Sequence, residues 1–320
     1  MVTLAAGSEL EAFAVSGTIP TFTTNTLFFD NTMSRGAITL VAGTSSVLDL
    51  EFAATVSTWT HLFGYLDAGN GGFGDILEWS SGGTAFLRVF DNDDVGAFQY
   101  YNGSQWIDIG TGEISDAAKH TYDFKIVIHA SAGEFTMYID EVEVASFTGD
   151  TTQAGVSDCD TFTMKAQFFD TQYISQVIVD TDPTLNYQLY TKFIDGAGTL
   201  TDWNGVYTDV DETGQDNTDY VDTDVANNST SYSVDDLTLP ADYSIKNLVH
   251  SVAASIGTTG PQNLQLGTYS GGAEHLGSNL SGIDLSIRAY QLVVTTDPAT
   301  GLSWDETTAN AAQIVFKAKA

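Results

Sequence analysis

The chain has 320 residues, enough for two domains of ordinary size, and carries 42 acidic residues against 10 Lys and Arg, a formal charge of −32. Phosphate binding needs basic residues that release counterions, so this balance argues against nucleic acid as a direct partner. The single cysteine, Cys159, excludes a disulfide framework and a cysteine-based metal site within one chain.

Only 16% of residues are charged, so the negative excess reflects scarce Lys and Arg rather than saturation with acid. Such a surface stays soluble and favours cations or basic surfaces as partners. The 30 glycines, 5 prolines and 12% aromatics suit many short strands joined by Gly, Asn and Asp turns. No window carries a sustained helical period with caps, and an all-β chain is expected. Met1 to Glu9 has no basic n-region, so no secretory signal is expected. Gly36 to Val56, the most apolar stretch, is interrupted by Asp49 and Glu51 and predicts two strands, not a membrane span. A soluble protein made in a cytoplasm follows.

In chain order, Ala12–Val15 and Thr26–Phe29 are expected to supply an edge strand and a strand that pairs with the far end of the first domain. Leu48, Leu50 and Phe52 alternate with Asp49 and Glu51, a half-buried strand. Hairpins follow: Trp59–Leu66, Ile76–Trp79, Phe86–Phe90, Val95–Tyr101 and Trp106–Ile109 are strands between Gly- and Asp-rich turns. Asn102-Gly103 is the strongest hairpin signal, because a type I′ turn needs positive φ at both central residues. Tyr122, Phe124, Ile126 and Ile128 then share one face, with Asp123, Lys125 and His129 on the other. Phe135, Met137 and Ile139 repeat the two-residue period, and Asp140-Glu141 is a tight connection into Val142–Phe147. Phe162–Met164 and Tyr173–Val179 close the domain.

The stretch Tyr122 to Gly149, with "MYIDEVEVASFTG" at its end, resembles the strand–turn–strand–hairpin–return core of concanavalin-like and laminin-G-like jelly rolls. Glu141 stands where that family usually has Gly, so its hairpin needs a different turn. The resemblance covers roughly the first half and implies a sandwich of two antiparallel sheets.

Between Asp180 and Asp224 eleven acidic residues face one base, Lys192. This predicts a long, partly irregular acidic connector over 183–230, between a jelly-roll domain at 1–182 and a smaller β domain at 231–320. Strand periodicity returns at Tyr232–Leu237, Ile245–Val252, Leu285–Val294 and Gln313–Lys317. The elements "VIVDT", "DGAGTLTDWNG", "VDE", "DNTDYV", "DLTLP" and "DPATGLSWDETTANAAQIVFK" resemble a pattern of structural proteins in tailed bacteriophages, with Trp304 and Asn310 in its most distinctive part. The resemblance implies a virion setting after synthesis in a host cytoplasm, other virion proteins as partners, and a homo-oligomer.

Glucanases of the concanavalin-like fold carry Glu-x-Asp-x-x-Glu on one strand, and this chain has no such run; Glu141 and Glu143 read as a solvent face. Asp75 and Glu78 sit beside Trp79, but three residues apart on a strand they are expected on opposite faces. Retaining hydrolysis needs two carboxyl groups about 5–5.5 Å apart, so an enzyme is not expected. Asp209, Asp211, Thr213 and Asp216, with Gly214, match the first half of an EF-hand-type loop whose twelfth position is Tyr220. Calcium is therefore the candidate cofactor there, beside the plainer reading of an acidic turn; Asp91-Asn92-Asp93-Asp94 is a second such loop. The five histidines lack zinc spacing, and no nucleophile elbow or phosphate loop is present. Phe73, Tyr100, Tyr101 and Trp106 are candidate stacking platforms for sugar rings, with sheet packing as the alternative. The expectation is a non-enzymatic structural protein on a phage surface, as a head decoration, fibre or tail component. The alternative is a carbohydrate-binding receptor module for a host-surface glycan, with or without calcium.

Overall fold

The computed structural model describes residues 3–7, 12–23, 37–66, 73–92, 95–113, 118–166, 171–212, 218–280 and 283–320. It divides into two compact units, Met1–Leu189 and Tyr190–Ala320. Both are built of antiparallel strands, so the all-β expectation holds.

In the first unit, one sheet contains β1 (Thr3–Gly7), β3 (Thr21–Thr23), β4 (Ala37–Leu40), β6 (Ser57–Leu66), β11 (His120–Val127), β12 (Gly133–Ile139), β13 (Val142–Gly149) and β15 (Gln172–Asp180). Its order is β13-β12-β11-β6-β15-β4-β3, with β1 beside the second half of β15. The facing sheet runs β10-β9-β8-β7-β14-β5-β2, from β2 (Ala14–Ser16), β5 (Val47–Thr55), β7 (Phe73–Ser81), β8 (Thr84–Asn92), β9 (Val95–Tyr101), β10 (Trp106–Glu113) and β14 (Cys159–Lys165). First and last strands meet, as expected, although the pairing strand is Thr3–Gly7; Thr26–Phe29 lies outside the described residues. Tyr122, Phe124, Ile126 and Ile128 of β11 and its extension are buried against Trp79, Phe98, Phe162 and Met164 of the other sheet. Each such side chain contributes about 1.5–3 kcal/mol relative to exposure, and the alternation of the sequence therefore sets which face is inside.

Two hairpins depart from expectation. Asn102-Gly103 does turn the chain, but Tyr101 pairs with Trp106, leaving a four-residue loop rather than a two-residue type I′ turn. The Asn102 side chain closes it by accepting from the Ser104 and Gln105 amides at 3.0 and 2.9 Å. Gly103 has φ +87, and a Cβ there would lie 2.6 Å from the Gln153 carbonyl oxygen. The type I′ geometry occurs instead at Asp140 and Glu141, whose φ values are 48° and 66°.

Asp123 is also a surprise. Placed by the period-two pattern on the solvent face, it is fully buried. Thr184 donates to its Oδ1 at 2.6 Å and His61 Nδ1 lies 3.0 Å from the same oxygen. The segment after β15 runs back over this face and is tied down where Leu189 donates to Gln176 at 2.9 Å. The jelly-roll unit therefore reaches Leu189 rather than residue 182.

The remainder of the expected connector is not a connector. It supplies β16 (Ile194–Thr201) and leads into β17 (Ser229–Val234), edge and next strand of a sheet ordered β16-β17-β22-β19-β20. Its other strands are β19 (Asn263–Ser270), β20 (Ala273–Asn279) and β22 (Gln313–Lys319). Five of its acids occupy exposed positions, Asp195 on β16 and Asp202, Asp219, Asp222 and Asp224 between strands. A two-stranded antiparallel sheet of β18 (Leu248–Ala254) and β21 (Arg288–Val294) places Val252, Tyr290 and Leu292 against Tyr232, Leu266 and Phe316 of the larger sheet. Trp304, before the short helix α1 (Glu306–Ala311), is buried and donates to the Val294 carbonyl at 2.9 Å.

Candidate functional site

On β5, β14, β7, β8, β9 and β10, residues alternate between the sandwich core and the opposite face. The side chains opposite the core form one register row: Asp49 faces Thr163, Thr163 faces Glu78, Glu78 faces Arg88, Arg88 faces Gln99 and Gln99 faces Asp108. Neighbouring strands are about 4.8 Å apart, so the row spans roughly 24 Å across the sheet.

The row is hydrogen-bonded along much of its length. Thr163 donates to Asp49 at 2.7 Å, and Lys165 donates to Glu78 at 2.7 Å. Arg88 donates through Nη1 to Asp75 at 2.7 Å and through Nε to Gln99 Oε1 at 2.8 Å. Gln99 in turn donates through Nε2 to Asp108 at 2.5 Å. Fixing the Gln99 carbonyl by Arg88 leaves its amide nitrogen for Asp108, so the donors run one way from Arg88 through Gln99 to Asp108. The guanidinium also lies 4.1 Å from the ring centroid of Trp106 and 4.6 Å from that of Phe90, a cation held between two aromatic rings.

Asp75 and Glu78 share this face, contrary to the expectation from their spacing. The register shifts between Asp75 and Leu77, and a bulge there turns both Ile76 and Leu77 into the core. Lys165 sits between the two carboxylates, 2.7 Å from Glu78 and 3.7 Å from Asp75. The run Phe73-Gly74-Asp75-Ile76-Leu77-Glu78 thus has the last two carboxylates of the glucanase pattern on one face, and Phe73 stands at its first position. Trp79 takes no part. It is fully buried, packs on Phe124 and Phe162 at 4.5 and 5.1 Å, and donates to Thr60 across the sandwich at 2.9 Å.

Of the expected stacking residues, the structure brings two together. Tyr101 and Trp106 are cross-strand partners on the outer face, with ring centroids 5.5 Å apart. Tyr100 points the other way by the alternation of the strand and stacks on Phe147 at 4.5 Å, so it belongs to the core. The backbone of Phe73 pairs with Asn92, while its side chain lies outside the described residues. The row itself was not anticipated. Its signal in the sequence is a polar residue flanked by apolar ones, as in Leu87-Arg88-Val89, Phe98-Gln99-Tyr100 and Ile107-Asp108-Ile109, but only the strand register joins the three.

The candidate calcium loop is partly visible. Asp209 uses Oδ2 to accept from the Val206 amide at 2.8 Å, capping a short 3₁₀ turn over Tyr207–Asp209. Asp211 is half-buried, and Thr213 and Asp216 lie outside the described residues, as do Asp93 and Asp94 of the second loop. Among the described residues, no group of three or more His, Cys, Asp and Glu side chains is placed to hold a metal ion. Cys159 is buried, and desolvation pushes its thiol pKa far up, which makes it an inert core side chain.

Neither a family model nor a curated protein matches this sequence. Solved structures similar to it include an endo-β-1,4-glucuronan lyase from the fungus Trichoderma reesei, at 12% identity and TM-score 0.40, covering 57% of this chain and 95% of that one. An alginate lyase variant in complex with an alginate tetrasaccharide matches at 10% identity and TM-score 0.40, over 57% of this chain and 98% of that one. The binding domain of a botulinum neurotoxin DC in complex with rat synaptotagmin II matches at 8% identity and TM-score 0.40, over 96% and 94%. Likenesses of this order carry no functional argument, and the chemistry of the site has to be read from its own residues.

Proposed function

We propose that the chain is a non-enzymatic surface protein whose first unit binds carbohydrate on the outer face of its seven-stranded sheet. The observation that carries this reading is the continuous row Asp49–Thr163–Glu78–Arg88–Gln99–Asp108 with Tyr101 and Trp106 at one end. Sugar hydroxyls need ordered donors and acceptors, and sugar C–H faces need aromatic surface; the row offers both on a scaffold that cannot collapse. A length of six strands suits an extended oligosaccharide rather than a single ring. The absence of catalysis is supported by Lys165, which occupies the space between Asp75 and Glu78, and by Phe73 at the first position of the three-carboxylate run.

The setting, a tailed-phage virion with the second unit anchoring or oligomerising the chain, is carried by the sequence resemblance of the second half. The test is a glycan array probed with the full chain, repeated with Trp106→Ala. Binding that the variant loses supports the reading. No binding to any glycan sinks it in favour of a purely structural protein, and release of sugar from a polysaccharide overturns the non-enzymatic part.

A further inference from the structure

We infer that the row selects non-anionic glycans, uncharged or amine-bearing, and rejects uronate and sulfated polymers; this rests on the carbohydrate reading above. Six carboxylates lie on or beside this face, Asp49, Glu51, Asp75, Glu78, Asp108 and Asp160, against two cations, Arg88 and Lys165, a surplus of four negative charges. Both cations are engaged by the protein itself. Arg88 is bonded to Asp75 and Gln99 and sandwiched between Trp106 and Phe90, and Lys165 is held by Glu78 and Asp75.

A uronate would have to draw Arg88 or Lys165 away from these partners, leaving Asp75 or Glu78 without its counter-charge beside another anion. Recognition of planar carboxylates and sulfates relies on guanidinium forks that are open to the ligand. Here Nη1 is committed to Asp75 and Nε to Gln99 instead. The remaining polar groups along the row, Asp49, Glu78 and Asp108, accept hydrogen bonds, and hydroxyl or ammonium groups are the donors that satisfy them. The charge of −32 on the whole chain acts in the same sense at long range.

The experiment measures binding of the full chain to three immobilised glycans at low and at high salt: a chito-oligosaccharide, its N-deacetylated form, and alginate. The expected result is binding to the first, roughly threefold tighter binding to the deacetylated form that fades with salt, and none to alginate. The double variant Glu51→Gln, Asp160→Asn, at carboxylates beside the row rather than in it, separates the site from the overall charge of the chain. It should lose most of the preference for amines while still binding the acetylated form. An unchanged preference in that variant, or alginate bound as well as the chito-oligosaccharide, overturns the inference while leaving the carbohydrate reading in place. Failure to bind any of the three, or any glycan of the wider array, removes both.

Discussion

Lys165 lies between Glu78 and Asp75, 2.7 Å from one carboxylate and 3.7 Å from the other, and this bridge exists because the β7 bulge turns both acids to the same side. The three side chains are 29%, 17% and 27% exposed, so solvent screens the interaction. Lys165→Met is expected to cost about 1 kcal/mol or less, read as a small downward shift of the urea midpoint of the first unit. The shift should vanish in high salt. An unchanged midpoint at low salt would show that the bridge is an idle surface contact.

Glu141 is held in the left-handed region, with φ 66°, beside Asp140 at 48°. Asp140 is tied in place by its backbone amide, which donates to the Thr121 carbonyl at 2.9 Å, and by its carboxylate, which accepts from the Thr121 amide at 3.0 Å. Glu141 has no such compensation from its own side chain in the turn geometry. Glu141→Gly should therefore stabilise the first unit by about 0.5–1 kcal/mol, the relief of left-handed strain less the entropy that glycine adds to the unfolded chain. Thermal unfolding of the two proteins side by side decides it; a lower melting temperature in the variant would refute the strain argument.

Asn310 binds both backbone groups of Leu237, accepting from its amide at 2.7 Å and donating to its carbonyl at 2.9 Å. An amide side chain here does the work of a strand partner for a segment outside any sheet. Asn310→Ala should cost about 1–3 kcal/mol, because the Leu237 groups lose both partners in a partly buried place. Hydrogen exchange at the Leu237 amide should accelerate at the same time. Unaltered protection of that amide would mean that the segment is held by something else.

The His250 imidazole, whose Nε2 lies 2.9 Å from the Thr268 hydroxyl, has its pKa lowered by burial to about 4, against 6.5 for a free histidine. The neutral form is favoured in the folded state, and the unfolded state binds the proton more readily. The stability of the second unit should therefore be fully present above pH 6.5 and fall as pH drops from there towards 4. Glu274, Asp284, Asp297 and Asp305 have pKa values below the usual carboxylate range, so their contributions are lost only at lower pH. Urea midpoints at pH 7 and 4.5 measure the effect, and His250→Gln should flatten the slope between them. A slope that survives the substitution would assign it to other groups.

The sequence by itself determined the fold class, the inward face of most strands and the positions of the turns, because burial of Tyr122, Phe124 and Ile126 follows from alternation alone. Tyr100 and Tyr101, offered together as stacking platforms, fall on opposite faces of their strand, so only Tyr101 joins Trp106. The site was decided only by the tertiary structure. Glu78, Arg88, Gln99 and Asp108 come from four strands, and their alignment depends on register, which the pairing of whole strands and the bulge at Asp75–Leu77 set together. A bulge shifts the face of every residue beyond it, so Asp75 and Glu78, opposed by counting, end up side by side. Likewise no local pattern could bury Asp123, since the chain that covers it returns from Thr184, 61 residues away. Local spacing encodes which residues face the same way along one strand; which of them become neighbours across a sheet is settled by contacts between segments far apart in the chain.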